Sequence, residues 1–208
     1  AKVTERTRAV FSSPVLGNAY DMDRIVDLCE RKGIKLIADN CDSLGSKYKG
    51  DYLTKHAVAA SCSFYPAHHL CTIEGGMVCT NNTELYELMR LKRSHGMARE
   101  GSPGFFQEYT KANPDIDPAF LFMTDGFNFR NHEICAVLGQ AQLKRLDKNI
   151  EIRRENYQYF YDTLLYPSLS NYMIPEYQIF NSSFSFPIIP IGGNVKPVSY
   201  THLRANET

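Results

Sequence analysis

Two adjacent histidines stand in a polar turn between a short apolar strand and a glycine-rich segment. The stretch reads Ser-Phe-Tyr-Pro-Ala-His-His over residues 63–69, and Glu74-Gly75-Gly76 follows it. This pattern predicts a hydroxyl at a strand end and two imidazoles in the turn, where a ligand can be held. An imidazole with its unperturbed pKa of about 6.5 can move a proton near neutral pH. The residue types therefore indicate acid-base chemistry, and an ordinary polar loop is the alternative.

Two carboxylates follow another apolar run. Asp39-Asn40-Cys41-Asp42 comes directly after residues 34–38, which predict a buried strand. Open α/β sheets bind ligands outside the carboxyl ends of their strands, so both aspartates are candidate ligand-binding groups. Taken alone, the segment is equally typical of a turn that ends a strand.

Composition excludes several classes of protein. Lys+Arg and Asp+Glu each number 23 in 208 residues, so no net charge indicates a nucleic-acid or membrane-surface partner. The six cysteines have no C-x-x-C spacing, which favours reduced thiols in a cytoplasmic protein. No apolar run approaches the roughly 20 residues of a membrane span, and the charged start differs from a signal peptide.

The first elements that must position these groups form a β-α-β unit. Residues 8–12 predict a strand, Asp21 is a suitable N-cap for a helix, and Gly33 is a suitable stop for it. The strand over residues 34–38 follows. Such a unit implies two parallel strands joined by a right-handed crossover.

The middle of the chain continues the alternation of strands and helices. The pattern predicts strands over residues 59–65 and 77–80. Asn81 and Glu84 form a predicted capping box for a helix that ends near Gly96.

The second half has a weaker pattern at first. Residues 97–124 predict a long ordered loop or a short helix, because prolines interrupt them. Gly126-Phe127-Asn128-Phe129-Arg130 then leads into a helix over residues 134–143. A long charged helix is expected beyond Asp147, and residues 183–191 predict a strand.

These motifs resemble a known family. SFYPAHH with EGG, the aspartate that ends the second strand, and GFNFR with its helix are similar to segments of the DegT/StrS sugar aminotransferase family, which are fold-type I pyridoxal-phosphate enzymes. The resemblance covers nearly all of residues 8–195. His68 stands where that family has its cofactor-binding lysine.

The resemblance implies an α/β fold. It implies the fold-type I large domain, a mostly parallel mixed sheet with helices on both faces, over residues 1–147. Residues 148–196 would form a linking helix and part of a small C-terminal domain. Residues 197–208 resemble a translated adapter sequence, so we expect them to be non-native. The chain also opens directly into its first strand, and we expect it to be an internal fragment of a longer enzyme.

The histidine indicates one branch of the family. Lysine forms a reversible Schiff base with the cofactor aldehyde, and histidine cannot. The resemblance is to the lysine-less branch, the 3-dehydratases of nucleotide-linked 4-keto-6-deoxyhexoses in dideoxysugar and O-antigen biosynthesis. It implies a non-covalently held cofactor, pyridoxamine or pyridoxal 5'-phosphate, with His68 as the acid/base.

The family's other site residues carry over by position. Asp39 would accept the pyridinium N–H, and Asp42 would lie near the ring hydroxyl with a less defined role. Ser63 and Asn128 would bind the phosphate. In the family this asparagine reaches the cofactor of the neighbouring subunit, so the resemblance implies a homodimer with shared active sites.

The resemblance also bears on metals and on the amine donor. No cysteine lies between Cys79 and Cys135, where some 3-dehydratases carry an iron-sulfur cluster, so no cluster is expected. Glutamate is then the expected amine donor. No metal site is expected either, because His68, Glu74 and His95 lack the spacing of metal ligands.

Two alternatives stay open. One is a sugar aminotransferase in which another group replaces the lysine, and the other is a non-catalytic relative that binds a nucleotide sugar. Ile73 departs from the family pattern at the first glycine of GEGG. If a positive φ is required there, isoleucine would be strained. His95, in the family's HG pair, is expected to be structural.

Overall fold

The computed structural model describes residues 3–160, 162–163 and 182. The expected strand over residues 183–191, the tail over residues 197–208 and most of the expected small domain lie outside the described residues.

A four-stranded mixed sheet forms the centre of the described fold. Its strands, in spatial order, are β1 (Ala9–Ser12), β2 (Lys35–Asp39), β5 (Ala59–Ser63) and β6 (Gly76–Cys79). β1, β2 and β5 are parallel, and β6 runs antiparallel to β5. A short hairpin of β3 (Lys47–Tyr48) and β4 (Asp51–Tyr52) lies between β2 and β5 in the chain. This arrangement confirms the predicted α/β fold and the parallel β-α-β unit.

Helix α1 (Met22–Lys32) joins β1 to β2 and begins and ends where the sequence predicts. The Arg24 backbone N–H donates to the Asp21 carboxylate at 3.2 Å, and Gly33 ends the helix at φ +62°. Met22 is fully buried and packs with Leu36 and Leu53 in the main apolar cluster. Burial of this face fixes the helix against the sheet, and thereby fixes the carboxyl end of β2.

Three further helices differ from the predictions in detail. They are α2 (Thr83–Arg93), α3 (Pro103–Ala112) and α4 (Glu133–Phe160). The N-cap of α2 is Asn82 rather than Asn81, since the Asn82 side chain accepts from the Leu85 N–H at 2.8 Å. Helix α3 matches the short helix that was one of the two predictions for residues 97–124, and it starts at Pro103, where the missing N–H costs nothing.

Helix α4 merges two predicted elements. The predicted helix over residues 134–143 and the charged helix beyond Asp147 form one continuous helix of 28 residues. Among the helices of the described residues, none has both the length and the apolar surface that a bilayer-spanning helix requires.

The edge strand β6 is open on both of its faces. Met77 and Val78, whose side chains point to opposite sides of the sheet, are 44% and 52% exposed. In the described sheet, β6 pairs on one side only, with β5.

The turn after β5 is closed by backbone hydrogen bonds. The Phe64 N–H donates to the Gly75 carbonyl at 2.9 Å, and the Thr72 N–H donates to the Phe64 carbonyl at 2.9 Å. Ile73 within this loop has φ +73°. The left-handed conformation is therefore present at the residue where the family has glycine, and isoleucine is strained there.

Replacing Ile73 by glycine should stabilise the protein. The left-handed conformation costs an L-residue about 1–2 kcal/mol, whereas glycine adds about 0.4–1 kcal/mol of unfolded-state entropy. The side chain is 61% exposed, so little burial is lost. We expect the free energy of unfolding in urea to rise by about 1 kcal/mol. Ile116 is half-exposed and does not have a positive φ, so Ile116→Gly should instead lower the free energy of unfolding. Equal losses in both variants would show that position 73 is unstrained.

Candidate active site

The carboxylate of Asp39 is held at the carboxyl end of β2. The Ser61 hydroxyl donates to Asp39 Oδ1 at 3.0 Å, and the Cys41 backbone N–H donates to the same oxygen at 3.1 Å. Asp39 and Ser61 are register partners in the parallel pair β2–β5. The strand geometry therefore orients this carboxylate before any ligand binds.

A thiol lies beside this carboxylate. Cys41 Sγ is 3.9 Å from the Ser61 hydroxyl. Burial, followed by the neighbouring Asp39, raises the pKa of the Cys41 thiol to about 11. The group is therefore a thiol at neutral pH, and it does not compete as a nucleophile at the site.

A tight turn brings His68 to Asp42. The His68 backbone N–H donates to the Tyr65 carbonyl at 3.0 Å, and Pro66 supplies the fixed φ that favours such a turn. His68 Nε2 then lies 3.0 Å from Asp42 Oδ1, with the side chains 22% and 34% exposed. The Tyr65 ring contacts the imidazole edge-on, with ring centroids 6.0 Å apart. The histidine and one of the two predicted carboxylates thus meet in a half-buried pair.

The two histidines have different environments. His69 is buried, at 6% exposure, so it packs into the protein while His68 faces Asp42. His68 Nδ1 is buried and has no hydrogen-bond partner among the described residues. Within those residues, no group of three or more histidine, cysteine or acidic side chains could hold a metal ion.

Ser63 ends β5 opposite Gly76 of β6. Its hydroxyl oxygen accepts from the Tyr65 backbone N–H at 3.2 Å, so it supports the turn that leads to His68. A hydroxyl that accepts in this way still has its own hydrogen to donate to a ligand.

Asn128 lies on an exposed segment between α3 and α4. It forms an isolated antiparallel bridge with Ser94, and backbone bonds from Phe127 and Phe129 to α2 carbonyls hold the segment. The two phenylalanine rings stack at 4.8 Å and are 54% and 69% exposed.

Two glycines allow this segment to lie against the end of α2. Gly96 has φ +76°, and a Cβ there would lie 1.8 Å from the Thr124 carbonyl oxygen. A Cβ on Gly126 would lie 2.3 Å from the Gly96 nitrogen. His95 has φ +61° and donates its backbone N–H to the Phe127 carbonyl at 2.7 Å. These contacts support a structural role for the His95-Gly96 pair.

The segment after GFNFR packs on the EGG turn. A Cβ on Gly75 would lie 2.6 Å from Thr72 Oγ1 and 2.7 Å from Asn131 Nδ2. A Cβ on Gly139 of α4 would lie 3.2 Å from the Thr72 methyl group. The segment that follows GFNFR is therefore in contact with the EGG turn, and small residues allow this approach.

The sequence analysis did not predict Ser61 as the hydrogen-bond donor to Asp39. The available signal was its position two residues before Ser63, because alternate residues of a strand share one face. A parallel register with β2 then brings its hydroxyl to Asp39.

Comparison with known proteins identifies the family. The sequence profile of the DegT/DnrJ/EryC1/StrS aminotransferase family matches residues 1–188. The GDP-4-keto-6-deoxy-D-mannose 3-dehydratase of Yersinia pseudotuberculosis is 36% identical over 157 residues, which are 74% of this chain and 39% of that protein. A UDP-4-amino-4,6-dideoxy-N-acetyl-beta-L-altrosamine transaminase of Campylobacter jejuni subsp. jejuni serotype O:2 is 33% identical over 190 residues, 90% of this chain and 46% of that protein.

A solved structure extends the comparison to three dimensions. The E. coli GDP-4-keto-6-deoxy-D-mannose-3-dehydratase with bound hydrated PLP matches with a TM-score of 0.67 at 29% identity, over 77% of this chain and 41% of that one. The predicted fold-type I architecture is thus confirmed. The chain spans between 39% and 46% of the length of the two curated relatives described above. By its sequence profile, its relatives and its fold, the chain belongs to the DegT/DnrJ/EryC1/StrS aminotransferase family.

Proposed function

We propose that this chain carries the cofactor-binding part of a 3-dehydratase that removes the C3 hydroxyl of a nucleotide-linked 4-keto-6-deoxyhexose. The observation that carries the proposal is the pair of His68 with Asp42 at 3.0 Å in the turn after β5. An imidazole at this position moves protons but forms no Schiff base. No lysine occurs between residues 56 and 91, so the turn offers no amine of its own.

The residues fit pyridoxamine or pyridoxal 5'-phosphate. Asp39 is a pre-oriented carboxylate for the pyridinium N–H, and the Ser63 hydroxyl can donate to the phosphate. Asn128 would bind the phosphate of a neighbouring subunit, in a homodimer with shared sites. The exposed stacked rings on either side of Asn128 support an interface there. The buried, unpartnered Nδ1 of His68 is a further polar atom that a bound group would satisfy.

Asp39 and His68 would have different roles in the reaction. When bound, the cofactor supplies an amine for the C4 ketone and a ring that takes up electrons, and glutamate would restore the amine. Asp39 would keep the ring nitrogen protonated. His68 would accept at Nδ1 the proton released from the amine-bearing carbon, because Nε2 lies 3.0 Å from Asp42 Oδ1. The same imidazole can return a proton as the C3 hydroxyl leaves.

A second candidate is a nucleotide-sugar aminotransferase. It is favoured by the transaminase relatives, which are 33–38% identical to the chain. This candidate requires a lysine from another part of the chain to reach the cofactor. Borohydride reduction of the protein with pyridoxal phosphate distinguishes the two. A phosphopyridoxyl adduct on one lysine of the wild-type chain would overturn the dehydratase proposal.

Cofactor binding should depend on Asp39. Asp39→Asn removes the charge from the pyridinium contact, and a hydrogen bond to a charged group contributes about 1.5–3 kcal/mol. We expect the Kd for pyridoxamine phosphate, measured by its fluorescence during titration, to rise about 10- to 100-fold. Asp115→Asn, at an exposed position outside the site, is the matched control and should leave the Kd unchanged. If the wild-type protein gives no binding signal, the non-catalytic alternative is favoured.

A further inference from the structure

We infer that Asp42 is a positioning residue that acts through His68, fixing which imidazole nitrogen carries the proton and which one keeps its lone pair. The inference deepens the proposed function and rests on it for the meaning of the proton transfer. The pairing itself can be measured without cofactor or substrate.

The geometry places Asp42 beside His68. Its Oδ1 is 3.0 Å from His68 Nε2, and a carboxylate can only accept a hydrogen bond. At this distance a lone pair on Nε2 would face a negative oxygen, so the carboxylate favours the form of the neutral ring in which Nε2 carries the proton and Nδ1 keeps its lone pair. Both side chains are more than half covered, which weakens screening of the pair by solvent.

The surrounding turn holds the imidazole in this orientation. The backbone bond from His68 to Tyr65 fixes the main chain, and the edge-on Tyr65 ring limits rotation of the imidazole. Nδ1 is buried and without a partner among the described residues. When Nδ1 takes a proton, the ring becomes a cation, and the Asp42 carboxylate stabilises it. An aspartate behind a catalytic histidine has the same effect in serine hydrolases.

The pairing predicts an incompatibility with lysine. In a His68→Lys variant, the same carboxylate would lie beside the new amine and favour its ammonium form. A Schiff base requires the neutral amine, so Asp42 would oppose the very chemistry that the substitution introduces. Asp42 and His68 therefore form a matched pair.

Proton NMR in water tests the pairing in the unliganded chain. We expect a downfield imidazole N–H resonance that is protected from exchange in the wild-type protein, is absent in His68→Asn, and is lost in Asp42→Ala. Asp42→Glu, which keeps the carboxylate, should restore a protected resonance, and Asp115→Asn should leave it unchanged. A missing signal in the wild type, or a signal that survives in Asp42→Ala, would overturn the inference.

A second measurement compares how fast pyridoxal phosphate forms an adduct with a lysine introduced at position 68. His68→Lys and His68→Lys/Asp42→Asn are each treated with pyridoxal phosphate and borohydride, and the adduct at residue 68 is quantified by peptide mass spectrometry. We expect at least about tenfold faster adduct formation in the double variant, since an adjacent opposite charge shifts a pKa by about one unit or more. Equal rates would overturn the role of Asp42. An adduct on a different lysine of the wild-type chain would overturn the proposed function and leave the NMR result standing.

Discussion

The His68→Asn variant should lose C3 dehydration by a factor of about 10²–10⁴, the usual contribution of a general acid/base. Asparagine keeps a polar group near Asp42, but it cannot take a proton. The measurement follows loss of the C3 hydroxyl by mass spectrometry, with pyridoxamine phosphate, glutamate and a GDP-linked 4-keto-6-deoxyhexose. Binding of pyridoxamine phosphate should change little, because Asp39 and Ser63 remain.

The matched control is His132→Asn, since His132 is exposed at the start of α4 and is not one of the candidate site residues. It should keep wild-type turnover. Dehydration that persists in His68→Asn at the wild-type rate would remove His68 from the reaction.

The Gly96→Ala variant should be destabilised by about 3 kcal/mol or more. Gly96 is buried at φ +76°, and its new Cβ would lie 1.8 Å from the Thr124 carbonyl oxygen and 2.7 Å from the carbonyl carbon. The backbone conformation alone costs about 1–2 kcal/mol, and the contact is with main-chain atoms that cannot rotate away. Urea unfolding of the chain measures the loss.

Gly104→Ala provides the comparison for this variant. Gly104 lies in the first turn of α3, and a Cβ there meets nothing within 4 Å. Alanine should leave stability unchanged or raise it by about 0.5–1 kcal/mol, because glycine is a poor helix former. Similar stability of the two variants would mean that the GFNFR segment can move away from the end of α2.

Local signals were enough to predict the β-α-β unit. Asp21 and Gly33 are strong end signals for a helix, and the apolar runs on either side are unambiguous. For residues 97–124 the sequence allowed either a loop or a short helix, because Pro103 and Gly104 indicate a break although proline is favoured in the first turn of a helix. Residues 134–160 were divided into two helices because the change from apolar to charged residues resembles a boundary.

The residues of the candidate site could be predicted from the sequence, but the contacts between them could not. Asp42, Asp39 and His68 were named from their motifs. The contact of Asp42 with His68 depends on how the Tyr65–His68 turn folds back over the end of β2, and no local pattern encodes that. For the same reason, Ser61 was missed as the donor to Asp39.

The open edge at β6 has a consequence for work with this polypeptide. Among the described residues no strand pairs with its outer amide and carbonyl groups, and Met77 and Val78 are exposed on either side, so strands of other molecules can assemble on this edge. Self-association should therefore rise steeply with concentration during purification. A lysine introduced at Val78 is a direct way to keep the polypeptide dispersed, because charge on an edge strand discourages such growth.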